Sequence, residues 1–150
     1  MWKKINITFL DNKKLLLSDY DVFINHNEEK NWIKLEQFSV GAYTEILLKF
    51  VNVKTKNTFF MFFNNTSIVC KKDEIDIKTF SKQKFYKVSK KKQDFTKDYS
   101  DVKDKINYLT NYRFLGLSID QIIELETLKS LKYQYDLMKL LNLRERENYE

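Results

Sequence analysis

The sequence predicts an α+β fold: an N-terminal antiparallel β-meander, a lysine-rich connector and a C-terminal αα-hairpin. Three observations support this. Residues 1–77 alternate apolar and polar side chains, residues 99–150 place apolar side chains three and four apart, and lysine dominates residues 78–98 between them. The β region should form a curled sheet or a small barrel. We expect the hairpin to pack on it, so that the chain is a single structural unit.

Short strands joined by tight turns account for the first part of the β region. Asp11 and Asn12 provide the first turn, because both side chains can hydrogen-bond to the backbone two residues further on. The predicted strand segments are 5–9, 15–17, 20–24 and a weaker one at 32–40 that ends at Gly41.

The clearest β-hairpin joins 46–53 to 58–63 through the polar turn 54–57. Five successive apolar residues, FFMFF, leave the second of these strands without a polar face, so it should be a central strand covered on both sides. Asn64-Asn65 is expected to form a second turn before a last strand at 66–70.

The first helix should start at Ser100, whose hydroxyl can accept a hydrogen bond from a first-turn N–H. It should end at Gly116, which can adopt the left-handed conformation of a helix C-terminus. The spacing of four, three and four residues predicts an amphipathic stripe formed by Val102, Ile106, Leu109 and Arg113.

The second helix should start at Ser118, with Gln121 completing a capping box. Apolar residues are dense from 119 to 143, more than a solvent-facing helix carries, so we expect this helix to be buried against the first helix and the sheet, or against another chain. The charged residues 144–150 are expected to fray.

A lysine strip at residues 78–92 is the most distinctive feature of the composition. It holds seven lysines and no acidic residue, more positive charge than the net +6 of the whole chain. The strip predicts an anionic partner, with aromatic rings that could stack on unpaired bases. The candidate binding residues are Lys78, Lys82, Lys84, Phe85, Tyr86, Lys87, Lys90, Lys91 and Lys92.

A structural interpretation of the same strip remains open. It can be a solvated connector, or an edge strand that lysines protect from aggregation. In the edge-strand case one face would carry Phe80, Lys82, Lys84, Tyr86 and Val88.

No catalytic, metal or cofactor site is predicted. Asp73, Glu74, Asp76 and Lys78 follow the pattern in which nuclease carboxylates hold Mg²⁺ beside a lysine, but a solvated turn explains the pattern better. His26 has no companions at metal-ligand spacing, and Cys70 lies in an apolar run typical of a buried thiol. The two glycines are too far apart for a phosphate-binding loop.

These observations favour a non-enzymatic binding protein of the phage or mobile-element type. The composition, with two glycines and no proline, fits an AT-rich genome. We expect an accessory protein or inhibitor that contacts a nucleic-acid-handling protein, such as a host defence nuclease. The alternatives are direct, sequence-tolerant DNA or RNA binding through Lys78–Lys92 and, last, a metal-dependent nuclease.

The single cysteine and the missing signal and membrane segments predict a cytoplasmic protein of a bacterial host cell. No membrane partner is expected, and the sequence leaves the oligomeric state open.

Overall fold

The computed structural model describes residues 1–25, 30–92 and 94–150. Within these residues the chain forms nine β-strands and two α-helices, which confirms the α+β fold class. The chain divides into two compact units, Met1–Val88 together with Arg144–Glu150, and Ser89–Leu143. The first unit is built on a sheet, and the second holds both helices.

One sheet contains all of the described strands, and it does not close into a barrel. Hydrogen-bonded neighbours follow the order β2-β1-β7-β6-β5-β3-β4, with β8 beside β6 and β9 beside β8. In chain order the strands are β1 (Lys4–Thr8), β2 (Lys14–Leu17), β3 (Tyr20–Asn25), β4 (Trp32–Lys34), β5 (Val40–Asn52), β6 (Thr58–Cys70), β7 (Glu74–Lys78), β8 (Phe85–Val88) and β9 (Leu143–Arg146).

The sheet is not a pure meander, because β1 and β7 lie side by side in parallel. The hairpin pairs β1–β2 and β5–β6 are antiparallel, as expected. Hydrophobic alternation shows which residues form a strand but not which strand becomes its neighbour, so the sequence did not predict this parallel pair.

The predicted hairpin is confirmed as β5 and β6. Its register runs from Val40 opposite Val69 to Val51 opposite Thr58. In the turn, the side chain of Asn52 accepts hydrogen bonds at 2.9 Å from two successive backbone N–H groups. All five residues of FFMFF are buried, and β6 has strand neighbours on both sides, so it is the central strand that the sequence predicts.

Two predicted boundaries in this region are wrong. Asn64-Asn65 is not a turn, since β6 continues through both residues to Cys70. The weak strand predicted at 32–40 is reduced to β4 (Trp32–Lys34) in the structure. Gly41 does not end that strand but belongs to β5. The backbone of Asn65 has a φ of 43°, a left-handed conformation that asparagine tolerates better than most residues, so the chain changes its path here without leaving the sheet.

The conformation of Asn65 coincides with a switch in the alternation of side chains along β6. Before it, the odd-numbered residues Phe59, Met61 and Phe63 point into the main core, whereas after it the even-numbered Ile68 and Cys70 do so. The partner strand β5 switches at the same level, so the two strands stay in register on either side. As a result, both halves of the long hairpin contribute to one core.

A cluster of polar side chains lies at this switch. The carbonyl oxygen of Asn64 accepts hydrogen bonds from Thr79 Oγ1 at 3.0 Å and from the N–H of Phe80 at 3.1 Å. The N–H of Asn64 donates to Ser81 Oγ at 2.9 Å, and the buried hydroxyl of Thr66 donates to that of Thr79 at 3.0 Å. These bonds fix the segment that leaves β7 against the bend in β6.

A second polar network joins the parallel strands β1 and β7. Asn6 Nδ2 donates to Glu74 Oε1 at 2.6 Å and to Asp76 Oδ1 at 3.0 Å. Lys4 and Lys71 pair with the same carboxylates, at 3.8 Å from Glu74 and 2.9 Å from Asp76. Hydrogen bonds lower the pKa of the Asp76 carboxyl below its usual value, with the larger contribution from Asn6 and the next from Lys71.

In the helical unit, α1 spans Thr96–Asn111 and α2 spans Ile119–Leu141, with a short 3₁₀ turn at Arg113–Leu115 between them. The predicted amphipathic stripe is confirmed where Val102 and Leu109 pack with Leu125 and Leu128 of α2. Among the described residues, no helix is long and apolar enough to span a membrane.

The helix ends agree only in part with the predictions. The capping box at Ser118 and Gln121 is confirmed by both of its hydrogen bonds, at 2.9 and 3.2 Å. Ser100 is not an N-cap, because α1 already begins at Thr96, whose N–H donates to the Asp94 carboxylate at 3.0 Å. Gly116, with a φ of 84°, ends the 3₁₀ turn rather than α1 itself.

The C-terminal residues do not fray as predicted. Residues 143–146 form β9, and Asn57 Nδ2 donates to the carbonyl oxygen of Tyr149 at 2.6 Å. The ring of Tyr149 lies 5.3 Å from that of Phe59 and 5.4 Å from that of Phe85, measured between centroids. Burial raises the pKa of its hydroxyl. One aromatic residue therefore anchors a segment whose charge suggested disorder.

Asn65→Val should destabilise the protein by about 1–2 kcal/mol, because a β-branched side chain opposes the left-handed backbone. Asn65→Gly should cost less, since glycine adopts this conformation freely. Urea unfolding at equilibrium measures both changes. Ser67→Val, on the same exposed side of β6, is the matched control and should be neutral or slightly stabilising. Equal stability of the Asn65→Val and Asn65→Gly variants would contradict this account.

Asp76→Asn should lower the free energy of unfolding at neutral pH by up to about 1 kcal/mol, as expected for a partly exposed ion pair. Since folding lowers the pKa of Asp76, its contribution is present above the unfolded pKa of about 4 and is lost as the pH falls through the folded pKa. The difference between wild type and variant should therefore stay constant from pH 7 to about pH 5 and shrink as the pH falls below about 4.

Chemical unfolding at a series of pH values tests this dependence. Asp73→Asn, in the turn before β7, is the control for removing a nearby carboxylate and should change stability by less than about 0.5 kcal/mol. A difference for Asp76→Asn that stays constant down to acidic pH would show that its charge is not involved.

Candidate binding surface

The lysine strip is divided by the boundary between the two units. Lys78, Lys82, Lys84 and Lys87 belong to the sheet unit, whereas residues 90–92 belong to the helical unit. Of the strip, residues 85–88 form β8. The strip therefore consists of two groups of lysines, one on each unit.

Two aromatic residues of the strip are part of the interior. Phe85 is 4% exposed and Tyr86 is 5% exposed. The ring of Phe85 lies 5.6 Å from that of Phe59, and the ring of Tyr86 lies 5.0 Å from that of Phe62, both edge to face. These rings stabilise the fold and are not presented to a partner.

The predicted edge strand that would place Phe80, Lys82, Lys84, Tyr86 and Val88 on one face is also wrong. Tyr86 is buried, whereas Phe80 and Val88 are exposed. Two adjacent buried aromatic residues, Phe85 and Tyr86, require β8 to be covered on both sides. The adjacency of the two rings was the available signal in the sequence, but the surrounding lysines obscured it.

The lysines of the strip differ in their surroundings. Lys87 is half-buried and donates to Asn57 Oδ1 at 3.0 Å, which ties β8 to the β5–β6 turn. Lys78, Lys82 and Lys84 are exposed, and none forms an ion pair with a described residue. On the helical unit, Lys90, Lys91 and Lys92 are also exposed.

Lys78 lies on a part of the sheet where side chains opposite the core remain exposed. We call this part the open face and define it by two neighbouring rows that cross five strands from β2 to β5. The first row consists of Leu16, Asn6, Asp76, Val69 and Val40, each opposite the next in the strand register.

Aliphatic side chains occupy three of the five positions in this first row. Leu16 is 64% exposed and Val40 is 79% exposed, with Val69 between Val40 and the Asn6–Asp76 pair. Polar residues would be expected on a sheet face that only meets water. Exposed aliphatic side chains in register across a sheet mark a surface suited to contact.

The second row of the open face carries positive charge. It consists of Lys14, Thr8, Lys78, Ser67 and Ala42. Lys14 and Lys78 lie on either side of Thr8, about 10 Å apart at strand spacing. Among the described residues neither lysine has an ion-pair partner, in contrast to Lys4 and Lys71 nearby.

Lys14 was missed by the sequence analysis. Its outward direction follows from the β1–β2 hairpin, but its closeness to Lys78 follows from the parallel pairing of β1 with β7. No pattern in the sequence indicates that pairing.

Two shallow hollows on this side of the sheet meet at Lys78 and Ser67. One, of about 560 Å³, includes Tyr43, Asn65 and Phe80 in its wall. The other, of about 220 Å³, lies over Asn6, Thr8, Val69 and Asp76. Phe80 is 62% exposed and is the aromatic residue of the lysine strip that remains accessible on this unit.

The acidic residues considered for nuclease chemistry have structural partners. Glu74, Asp76 and Lys78 point to the same side of β7, while Asp73 precedes the strand and lies 3.6 Å from Lys3. The carboxylates of Glu74 and Asp76 accept from Asn6 and pair with lysines, which gives them a role in joining β1 to β7.

Metal ligands, His26 and Cys70 were the other features considered in the sequence. In the part of the chain that the structure describes, no three His, Cys, Asp or Glu residues are grouped as metal ligands. His26 lies outside the described residues. Cys70 is buried, and burial raises the pKa of its thiol, as in a structural cysteine.

Comparison with known proteins divides the chain much as the structure does. Residues 4–84 match the model of the UU051 N-terminal domain, and residues 96–146 match that of the uncharacterised protein UU051 C-terminal domain. The uncharacterized protein UU051 of Ureaplasma parvum serovar 3 (strain ATCC 700970) is 32% identical over 145 residues, covering 93% of this chain and 85% of the relative. The order of the two domains is the same as in these matches, and the chain belongs to the UU051 family.

Proposed function

We propose that this chain is a non-enzymatic binding protein that docks an acidic protein partner on its open face. The observation that carries the proposal is that the two rows of the open face, one with aliphatic side chains and one with lysines, lie side by side across the same strands. Exposed Leu16, Val40 and Val69 lie beside Lys14 and Lys78, which have no ion-pair partner among the described residues. An apolar patch with charges at its side is the composition of a transient protein interface.

A protein partner fits this surface better than a nucleic acid does. Aliphatic side chains gain free energy when another apolar surface covers them, but they offer no ring on which a base can stack. The buried rings of Phe85 and Tyr86 remove most of the aromatic surface that the lysine strip seemed to provide. Lysines on such a surface mainly steer an oppositely charged partner and set its orientation.

The charge of the open face favours a partner with clustered carboxylates. Such clusters hold the catalytic metal ions of many nucleases, so the face is compatible with an inhibitor of a nucleic-acid-handling protein, as the composition suggested. The buried and unpaired Cys70 fits a reducing compartment, and we place this interaction in the cytoplasm of a bacterial cell.

Replacing Val40 and Lys78 by glutamate should abolish capture of the partner, because the change removes apolar area and reverses a charge. Both side chains are exposed, so the variant should fold. The measurement is quantitative mass spectrometry of proteins retained from a lysate of the source cell by immobilised wild type and variant. We expect the wild type to retain an acidic protein whose recovery is at least about tenfold lower with the variant.

Ile123→Glu with Lys103→Glu is the matched control, since it alters an exposed aliphatic residue and an exposed lysine of the helical unit. It should retain the partner. Proteins captured equally by all three chains would contradict the proposal.

Fluorescence anisotropy with labelled single- and double-stranded oligonucleotides tests the competing function on the same variants. Salt-dependent binding that is lost with Lys78 would assign the face to nucleic acid instead. The expected result is no binding at physiological salt.

A further inference from the structure

The helical unit contains a separate cavity of about 410 Å³, within the size range of small-molecule sites. It lies between the start of α1 and the second half of α2. Its aromatic wall is formed by Phe95, Tyr99 and Tyr135, and its polar wall by Lys92, Asp94, Thr96 and Lys139. All of these residues belong to the same compact unit.

The aromatic wall combines support with accessibility. The rings of Phe95 and Tyr135 are 5.8 Å apart between centroids and tilted by 41°. Tyr135 also packs against the core of the helical unit, which holds it in place. Phe95, Tyr99 and Tyr135 are each only half-buried, so apolar ring surface remains open to the cavity. Such a wall suits a flat, apolar ligand group.

The polar wall has a surplus of positive charge. Lys92 and Lys139 are exposed, and neither has an ion-pair partner among the described residues. Asp94 is the one carboxylate among the described residues of the wall, and it accepts a hydrogen bond at 3.0 Å from the N–H of Thr96. Hydrogen bonds to Thr96 lower the pKa of the Asp94 carboxyl, and the nearby charges of Lys139 and Lys92 lower it further. With two lysines and one carboxylate, the described wall keeps a net positive charge that can attract an anion.

The start of α1 combines the positive end of the helix dipole with a carboxylate in the first turn, Asp98. Phe95 precedes the helix and has no side-chain acceptor, so α1 begins without an N-cap side-chain hydrogen bond. The partial positive charge of a helix N-terminus extends over its first turn, and Thr96 in that turn lines the cavity.

We propose that this cavity binds a planar aromatic anion of the nucleoside-monophosphate type. The base would lie against the rings of Phe95, Tyr99 and Tyr135, and the phosphate would be held by Lys92 and Lys139. This site is independent of the open face and of the function proposed for it, since the two surfaces share no residue.

The test is a titration of the full chain with AMP, followed by ¹H–¹⁵N NMR. Adenosine supplies the ring without the charge, and inorganic phosphate supplies the charge without the ring. Because both parts of the ligand are expected to contribute, AMP should bind at least about tenfold more tightly than either fragment. The amide signals that shift should come from Lys92, from residues 94–99 and from α2 around Tyr135.

The double variant Lys92→Gln, Lys139→Gln should weaken AMP binding by at least about tenfold while leaving the spectrum of the folded chain intact. Lys103→Gln with Lys105→Gln is the control, because it removes the same charge from exposed positions of α1. This control should bind AMP as the wild type does.

Three results would overturn the proposal. The first is an absence of saturable chemical-shift changes up to about 5 mM AMP, a concentration above the dissociation constant of a weak specific site. The second is an equal loss of binding in the control variant, which would indicate a general effect of charge. The third is phosphate binding as tight as that of AMP, which would leave no role for the aromatic wall.

Discussion

The left-handed backbone at Asn65 is the constraint on which the sheet unit depends. A strand of regular alternation from Phe59 to Cys70 would direct Phe63 and Ile68 to opposite faces. The switch at Asn65 lets both point into the same core. It also turns Ser67 and Val69 outward, so the part of the open face on β6 follows from the same local conformation. The core-facing side of β6 thus changes at this one residue, in the middle of the β5–β6 hairpin.

The polar side chains next to Asn65 make this bend tolerable. Thr79 Oγ1 donates to the carbonyl oxygen of Asn64 and Ser81 Oγ accepts from its N–H, which satisfies these backbone groups at the point where the ladder with β5 is interrupted. The same segment is tied to β1, because the N–H of Thr79 donates to the carbonyl oxygen of Thr8 at 3.0 Å. The parallel placement of β1 beside β7 and the bend in β6 therefore support each other.

Local chemistry in the sequence predicted the α+β class, the β5–β6 turn and the capping box at Ser118, since each depends on neighbouring residues. It failed where one local signal fits two structures: Asn64-Asn65 can make a turn or a bend within a strand. The candidate site was the least predictable part. Lys14 and Lys78 are far apart in the chain, and the lysines around Phe85 and Tyr86 hid two core residues.

The sheet unit is discontinuous in the chain, because its last seven residues, 144–150, follow the whole helical unit. The ring of Tyr149 packs on Phe59 and Phe85, which are made much earlier during synthesis. The ribosome therefore synthesises the complete helical unit before it adds Tyr149 to the chain. Until then the nascent sheet has an aromatic gap in its core, and it completes its packing only after the helices have had time to form.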